Sequence, residues 1–187
     1  MLLAMDVGNS HVVCAVHDGK KWTHNIRIPS TLDFWNQFFT LKEYDITHAT
    51  ISSVVPHLTS VYVESIRNIF HIESFIISYK NSGIELKVDI PEEVGTDRIC
   101  NTAAAQELVG CPAIIGDIGS ATNYDVVDEK GAFIGGAIAP GLETAAHNLF
   151  KKAALLEETA LTVPTLAIGK DTVTNLQSGI MLGAIDI

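Results

Sequence analysis

The sequence predicts an α/β protein made of two similar halves, at residues 1–111 and 112–187, with the second half truncated. Two observations carry this prediction. A buried strand followed by an Asp-x-Gly turn and a hydroxyl residue occurs twice, at Asp6–Ser10 and at Asp117–Asp125. The order of strand and helix signals in the first half, β-β-β-α-β-α-β, also begins again in the second half. Strands alternating with helices in this way are typical of an α/β sheet.

Three strand signals open the first half. Met1–Met5 is an apolar run that predicts a buried strand, and Val12–Val16 predicts a second one. Asp18-Gly19 is a hairpin-turn signal, and Lys21–Ile28 alternates between polar and apolar residues as a half-buried strand does. We therefore expect three consecutive antiparallel strands at the start of the chain.

Helices and strands alternate in the rest of the first half. Aromatic residues at helical spacing predict a helix at Leu32–Leu41, and a second helix is expected at Leu58–Phe70. Ala49–Val55 and Phe75–Ile77 are short apolar runs that predict buried strands. The complete order of elements resembles the ribonuclease H-like unit.

The second half repeats this order and then stops. It begins after a polar connection with Pro91 and a predicted helix at Asp97–Leu108, which close the first half. The further predicted elements are strands at Ala113–Ile115, Tyr124–Val127, Phe133–Ala139 and Leu166–Ile168, and helices from Pro140 to Leu156 and from Gly169 to Ile187. A final strand and helix are missing from the pattern, so we expect either a fragment or a core that another chain completes.

Composition excludes several classes of protein. Hydrophobic residues make up 47% of the 187 residues and charged residues 18%, which predicts a well-packed core. The net charge of −10 argues against nucleic acid as a main partner, because phosphate backbones require clustered Lys and Arg. No apolar run approaches the roughly 20 residues that span a bilayer. The widely spaced Cys14, Cys100 and Cys111 predict reduced thiols, so we expect a cytoplasmic protein without membrane or nucleic-acid partners.

The two Asp-x-Gly turns point to phosphate chemistry. Asp6 is suited to hold Mg²⁺ or its water ligands, and the backbone and hydroxyl of Gly8–Ser10 can surround the phosphates of ATP. A simple Asx turn is the alternative role for Asp6. Two halves of this kind resemble the acetate and sugar kinase, Hsc70 and actin superfamily. That resemblance implies an actin-like ATPase duplication, in which ATP lies between the halves and both turns bind its phosphates.

Asp97 and Arg98 follow Gly95 at a predicted helix N-terminus. The helix dipole stabilises a carboxylate there, and Asp97 can accept the proton of a substrate hydroxyl. Arg98 can form a forked pair with the carboxylate of an acidic substrate. The alternative is a helix-capping Asp97 with a surface ion pair.

Six motifs in order resemble one family, the type III pantothenate kinases. The resemblance runs from Met1 to about Asp186. The six motifs are Asp6–Ser10, Ser52–Pro56, Glu93–Arg98, Asp117–Asp125, Gly135–Leu142 and Gly169–Thr172. The resemblance implies ATP-dependent phosphorylation of pantothenate to 4′-phosphopantothenate, the first step of coenzyme A biosynthesis, by a homodimer. The alternative is a truncated, non-catalytic module of the same fold that binds pantothenate or a partner.

The resemblance also assigns residues. Asp97 is implied as the general base, and Asp117 as the ligand of a monovalent cation, K⁺ or NH₄⁺. The residues implied to bind the phosphates of ATP are Asp6, Val7, Gly8, Asn9, Ser10, Gly119 and Ser120. Those for pantothenate are Val88, Gly95, Thr96, Asp97, Arg98, His147 and Thr172. Metal ligands are expected at Asp6, Asp117 and Asp125. Structural roles remain open for three of these residues, namely Asp125 at a sheet end, His147 in packing and Thr172 as a helix cap.

The chain departs from the family pattern at several positions. The family usually has Thr where this chain has Ser10, Ser120 and Asn123, and many members have Tyr where Val88 stands. The hydroxyl is kept at the two serines, whereas Asn123 loses it. Val88 removes one hydrogen bond from the expected pantothenate pocket. The terminal helices that complete the nucleotide site in the family are also missing from the pattern.

Overall fold

The structure is a computed structural model that describes residues 1–31 and 35–184. The chain divides into two compact units. The first comprises Met1–Ala113 and Val126–Gly135, and the second comprises Ile114–Asp125 and Gly136–Ile187.

A five-stranded sheet forms the centre of the first unit, as far as the described residues show. Its strands are β1 (Leu2–Val7), β2 (His11–His17), β3 (Trp22–Pro29), β4 (His48–Ser53) and β5 (Ser74–Ile76). The spatial order is β3-β2-β1-β4-β5. β1, β2 and β3 pair antiparallel, as the sequence predicts, whereas β1 with β4 and β4 with β5 pair parallel. The predicted ribonuclease H-like order is therefore present in this sheet.

Alternation of buried and exposed residues builds the core of the first unit. Leu3, Met5 and Val7 of β1 face inward at every second position and are almost completely buried. The helix α2 (Pro56–Phe70) packs on this face with Leu58 and Tyr62 one turn apart. The parallel pairing of β1 with β4 brings the carboxyl ends of both strands to one edge of the sheet.

Two predicted helices of the first unit lie where the sequence places them, and a third differs from its prediction. α2 and α3 (Thr96–Leu108) lie where the sequence predicts them. The predicted helix at Leu32–Leu41 is wrong at its end: α1 (Trp35–Phe38) passes into a 3₁₀ turn at Phe39–Glu43. The start of that prediction lies outside the described residues.

The chain then forms a three-stranded sheet in its described part, with the order β6-β7-β8. Its strands are β6 (Ala113–Ile118), β7 (Ala121–Val127) and β8 (Phe133–Pro140). Two helices follow, α4 (Leu142–Lys152) and α5 (Thr172–Gln177), and a π-helical turn at Ser178–Leu182 continues α5. The α/β class that the sequence predicts is therefore confirmed.

Two predicted elements beyond β8 are wrong. α4 ends at Lys152 instead of Leu156, since Ala153 already has extended backbone angles. Leu166–Ile168 forms no strand: its side chains at both ends are mostly exposed, and it lies in the described segment that leads to α5. The carbonyl of Ala167 accepts a hydrogen bond from the Ser178 hydroxyl, so this backbone binds the end of α5 instead of a neighbouring strand.

Candidate active site

The carboxyl ends of β1 and β4 bring Asp6 and Ser52 together. The two residues are register partners in the parallel pair. Asp6 is exposed, whereas Ser52 is only 5% exposed. The Ser52 hydroxyl donates a hydrogen bond to Asp6 Oδ1 over 3.3 Å. A carboxylate at the surface is thus oriented by a buried neighbour.

The turn after β1 is fixed by its own backbone and by Ser30. The Gly8 amide donates to the His11 carbonyl at 3.0 Å. The Ser30 hydroxyl donates to the Gly8 carbonyl at 2.6 Å, and the Ser30 amide donates to the Ser10 carbonyl at 3.0 Å. Asn9 and Ser10 lie exposed on this turn, where a phosphate can approach them.

Thr96 attaches the start of α3 to the end of β4. Its hydroxyl accepts from the Ser53 amide at 2.9 Å and donates to the Ser53 carbonyl at 3.0 Å. The same oxygen lies 3.2 Å from the Ser52 hydroxyl. The first turn of α3, which carries Asp97, is therefore held beside the strand end that carries Ser52.

Asp97 is half-buried in the first turn of α3. Its carboxylate occupies the space that a side chain at Gly95 would fill. Asp97 Oδ1 accepts a hydrogen bond from the Arg98 amide at 2.8 Å. A Cβ on Gly95 would overlap this carboxylate oxygen and would lie 3.5 Å from the Val54 side chain. The helix N-terminus supplies a favourable field for the carboxylate.

Phe133 contacts both the Arg98 side chain and the segment that carries Val88. The Arg98 guanidinium carbon lies 5.1 Å from the centroid of the Phe133 ring. Phe133 also pairs like a strand with Leu86, since the Lys87 amide donates to the Phe133 carbonyl at 2.8 Å. The segment that carries Val88 is therefore attached to the residue that supports Arg98.

Two site residues were missed in the sequence. Ser52 lies in a motif for which no role is assigned, and Cys100 is interpreted only as a reduced thiol. Burial raises the pKa of the Cys100 thiol, a hydrogen bond with Ser52 opposes this shift, and the carboxylates of Asp6 and Asp97 add to it. Cys100 follows Thr96 by one helical turn, which is the signal that could have indicated its position.

In the second unit, the turn after β6 is attached to the start of α4. The Ser120 carbonyl accepts from the Gly141 amide at 3.0 Å and from the Thr144 hydroxyl at 2.8 Å. A Cβ on Gly141 would overlap the Gly119 carbonyl oxygen and would lie 2.8 Å from that of Ser120. The backbone of this turn can approach the helix only because residue 141 is glycine.

The candidate metal ligands of the second unit differ in burial. Asp117 is half-buried at the end of β6, whereas Asp125 is completely buried on β7. Within the described part of the chain, no group of three or more His, Cys, Asp and Glu side chains could hold a metal ion. Single carboxylates at strand ends fit an ion that takes its other ligands from phosphate and water, as Mg²⁺ commonly does.

His147 and Thr172 are exposed on α4 and α5. Thr172 is the first residue of α5, and its neighbour Asp171 is the N-cap. Asp171 accepts from the Thr174 amide at 2.8 Å. The capping role that remained open for Thr172 thus belongs to Asp171. Neither His147 nor Thr172 takes part in the hydrogen bonds that attach Ser120 to α4.

Over residues 1–31 and 35–184, no helix is both long enough and apolar enough to cross a bilayer.

Comparison with known proteins gives consistent matches over the whole chain. A family profile described as type III pantothenate kinase matches residues 2–187. Relatives described as type III pantothenate kinase include those of Thermomicrobium roseum, with 38% identity, and Moorella thermoacetica, with 40% identity. The first alignment covers 100% of this chain and 77% of the relative, and the second covers 99% and 78%.

Solved structures agree in fold. A Baf family protein from Campylobacter jejuni matches with a TM-score of 0.61 and 18% identity, over 98% of this chain and 75% of the other. The Aquifex aeolicus Ppx/GppA phosphatase matches with a TM-score of 0.50 and 14% identity, over 84% of this chain and 58% of the other. At these identities the matches support the fold alone.

Proposed function

Because this chain belongs to the type III pantothenate kinase family, we propose that it transfers the γ-phosphoryl group of ATP to the terminal hydroxyl of pantothenate. The product is 4′-phosphopantothenate, and the reaction is the first step of coenzyme A biosynthesis. The observation that carries the proposal is the attachment of Thr96 to the end of β4. It holds a carboxylate and a guanidinium, Asp97 and Arg98, beside the strand ends that carry Asp6.

Asp97 acts as the general base. Its Oδ1 atom is held by the Arg98 amide, so the carboxylate is oriented before substrate binds. It accepts the proton of the pantothenate hydroxyl as the oxygen attacks the γ-phosphorus. Positioning of this kind contributes most of the catalysis in phosphoryl transfer.

Arg98 and its neighbours bind pantothenate. The Arg98 guanidinium, supported by the Phe133 ring, forms a forked pair with the pantothenate carboxylate. The remaining members of this site are Val88, Gly95, Thr96, His147 and Thr172. Thr172 reaches the pantothenate site of the neighbouring subunit in a homodimer, and its exposure on α5 is compatible with that role.

The turns after β1 and β6 bind the phosphates of ATP. In the first unit these residues are Asp6, Val7, Gly8, Asn9 and Ser10, and in the second unit they are Gly119 and Ser120. Asp6 would hold Mg²⁺, and Asp117 would hold K⁺ or NH₄⁺. These cations supply charge neutralisation at the phosphates when bound. Asp125 is a weaker metal candidate because it is completely buried.

The chain is organised as an N-terminal half at 1–111 and a C-terminal half at 112–187. The compact units, which divide between Ala113 and Ile114, support this organisation, although Val126–Gly135 pack with the first unit. We infer a cytoplasmic homodimer that binds neither nucleic acid nor membranes. The net charge of −10 supports the absence of a nucleic-acid partner. The alternative of a non-catalytic module is not favoured, since the relatives are described as kinases.

The test is production of 4′-phosphopantothenate from ATP and pantothenate by the purified chain. Asp97→Asn keeps the size and polarity of the side chain but removes its basicity. We expect kcat to fall about 10²–10⁴-fold, with the KM for ATP nearly unchanged. The control is Asp45→Asn, at an exposed aspartate outside the site, with normal turnover expected.

Near-normal turnover by Asp97→Asn would rule out the general-base role. Absence of product from the unmutated chain would overturn the proposed function. The cation site is tested separately by replacing K⁺ with Na⁺ in the assay. A rate insensitive to this exchange would count against Asp117 as a K⁺ ligand.

A further inference from the structure

Ser52 connects Asp6 to the first turn of α3, and we propose that it is a positioning residue for phosphoryl transfer. The inference rests on the proposed kinase function, because it concerns the alignment of the phosphate-binding carboxylate with the helix that carries Asp97. Ser52 itself touches neither substrate. It acts through Asp6 and through Thr96.

Three polar groups surround the Ser52 hydroxyl. Asp6 Oδ1 lies 3.3 Å away and Thr96 Oγ1 lies 3.2 Å away. The Cys100 thiol forms the third contact, as a hydrogen-bonding partner of Ser52. Since Ser52 is only 5% exposed, water cannot readily replace these partners.

The number of available hydroxyl protons determines which group is the donor in each of these hydrogen bonds. The single hydroxyl proton of Thr96 is donated to the Ser53 carbonyl. The single proton of Ser52 has two acceptors within reach, and a carboxylate is a stronger acceptor than a neutral hydroxyl. Ser52 therefore donates to Asp6.

The buried Oγ atom of Ser52 thus contacts both the Asp6 carboxylate and Thr96, the first residue of α3. Asp6 is an exposed side chain at the end of β1. The hydrogen bond from Ser52 restricts it, and the contact with Thr96 fixes its relation to the start of α3. The neighbouring Ser53 side chain does not share this role, because its hydroxyl bonds with Val55 and Thr59.

The experiment is a double-mutant cycle on nucleotide binding, measured by calorimetric titration with MgATP in the absence of pantothenate. Ser52→Ala in the otherwise unmutated chain is expected to weaken MgATP binding about tenfold, because a hydrogen bond to a charged group contributes on that order. In the Asp6→Asn background the same substitution is expected to have little further effect.

A matched control is Ser65→Ala. Ser65 is 2% exposed, and its hydroxyl donates to the Val61 carbonyl at 2.7 Å within α2. This variant loses a buried serine hydroxyl outside the site. We expect its melting temperature to change about as much as that of Ser52→Ala, while its MgATP affinity stays unchanged. Thermal unfolding of every nucleotide-free variant separates loss of positioning from loss of folded protein.

The outcomes distinguish the inference from the function on which it rests. Equal weakening of MgATP binding by Ser52→Ala in both backgrounds, or none in either, overturns the positioning role. A chain that shows the expected cycle but makes no 4′-phosphopantothenate overturns the proposed function and leaves the Ser52 inference supported. A chain that binds no MgATP overturns both.

Discussion

The guanidinium of Arg98 lies over the ring of Phe133, with 5.1 Å between the guanidinium carbon and the ring centroid. Phe133 is 1% exposed, so its ring is fixed by packing, whereas Arg98 is half-buried. A cation–π contact of this kind holds the guanidinium plane as well as attracting its charge. The ring therefore helps to orient the guanidinium, which can offer two parallel donors to a carboxylate.

Replacing Phe133 with Leu is expected to raise the KM for pantothenate about three- to tenfold while leaving kcat within about twofold. The reason is that Leu keeps most of the buried volume but removes the aromatic face, a contact of about 1 kcal/mol. Steady-state kinetics with varied pantothenate measures this. Phe38→Leu is the control, since Phe38 is fully buried in the core of the first unit. This substitution should lower the melting temperature and leave the KM for pantothenate unchanged. An unchanged KM for Phe133→Leu would contradict the role of the ring.

A second prediction concerns acid stability. Lys87 Nζ donates to Asp128 Oδ2 at 2.6 Å, while the amides of Lys130 and Ala132 donate to Oδ1 at 2.9 Å. The hydrogen bond from Lys87, followed by the one from Ala132, lowers the pKa of Asp128 to about 2. A carboxyl group whose folded pKa is depressed stabilises the protein above its unfolded pKa of about 4. That stabilisation is lost as the pH falls from about 4 through about 2.

Asp128→Asn should therefore lower the melting temperature at pH 5 to 7, and the difference from the unmutated chain should shrink as the pH falls toward 2. Thermal unfolding at several pH values measures this difference. Asp45→Asn, at an exposed aspartate in the same unit, should show a smaller difference at pH 5 to 7. A constant difference between the Asp128 variant and the unmutated chain across the range would contradict the assignment.

A third prediction concerns the turn after β6. Gly141→Ala places a Cβ against the carbonyl oxygens of Gly119 and Ser120, and neither backbone atom can move independently of the turn. We expect a loss of about 1–3 kcal/mol in the free energy of unfolding and a raised KM for ATP. Gly179→Ala is the control, because no atom beyond its chain neighbours and its own helix backbone lies within 4 Å of the position its Cβ would take. Normal ATP kinetics in a folded Gly141→Ala variant would contradict the phosphate role of this turn.

Much of the first unit could be predicted from local patterns. Leu3, Met5 and Val7 alternate with outward-facing residues, and such a period identifies a strand without knowledge of its neighbours. Asp97 and Arg98 could be identified as candidates because a glycine and a helix start precede them. Their proposed catalytic roles came from the family resemblance.

The contacts that organise the site could not be predicted in this way. Ser52 and Thr96 are 44 positions apart in sequence, and they meet because the start of α3 is bonded to the end of β4. The parallel pairing of β1 with β4 in turn places Asp6 opposite Ser52. The support of Arg98 by Phe133 likewise depends on a bridge between separate segments. The strand expected at Leu166–Ile168 failed because apolar residues alone do not supply a neighbouring strand to pair with.

The last prediction concerns Gly95→Ala, a substitution that displaces the Asp97 carboxylate without changing its chemistry. Gly95 has backbone angles of −56° and 140°, which any residue adopts, so Ala is compatible with the backbone at this position. The new Cβ overlaps Asp97 Oδ1, and its next contact, the Val54 side chain at 3.5 Å, is an ordinary van der Waals distance. The carboxylate must therefore rotate away and give up its hydrogen bond from the Arg98 amide, while the fold is conserved.

We expect Gly95→Ala to lower kcat about 10- to 100-fold, since a displacement of about 1 Å at a reacting group has effects of this size. Stability should be unchanged or slightly higher, because Ala restricts the unfolded chain more than Gly does. In the Asp97→Asn background, where the base is already absent, the same substitution should lower kcat no further. A full additional loss in that background would show that Gly95 acts on substrate binding instead of on Asp97, and the KM for pantothenate would then report it directly.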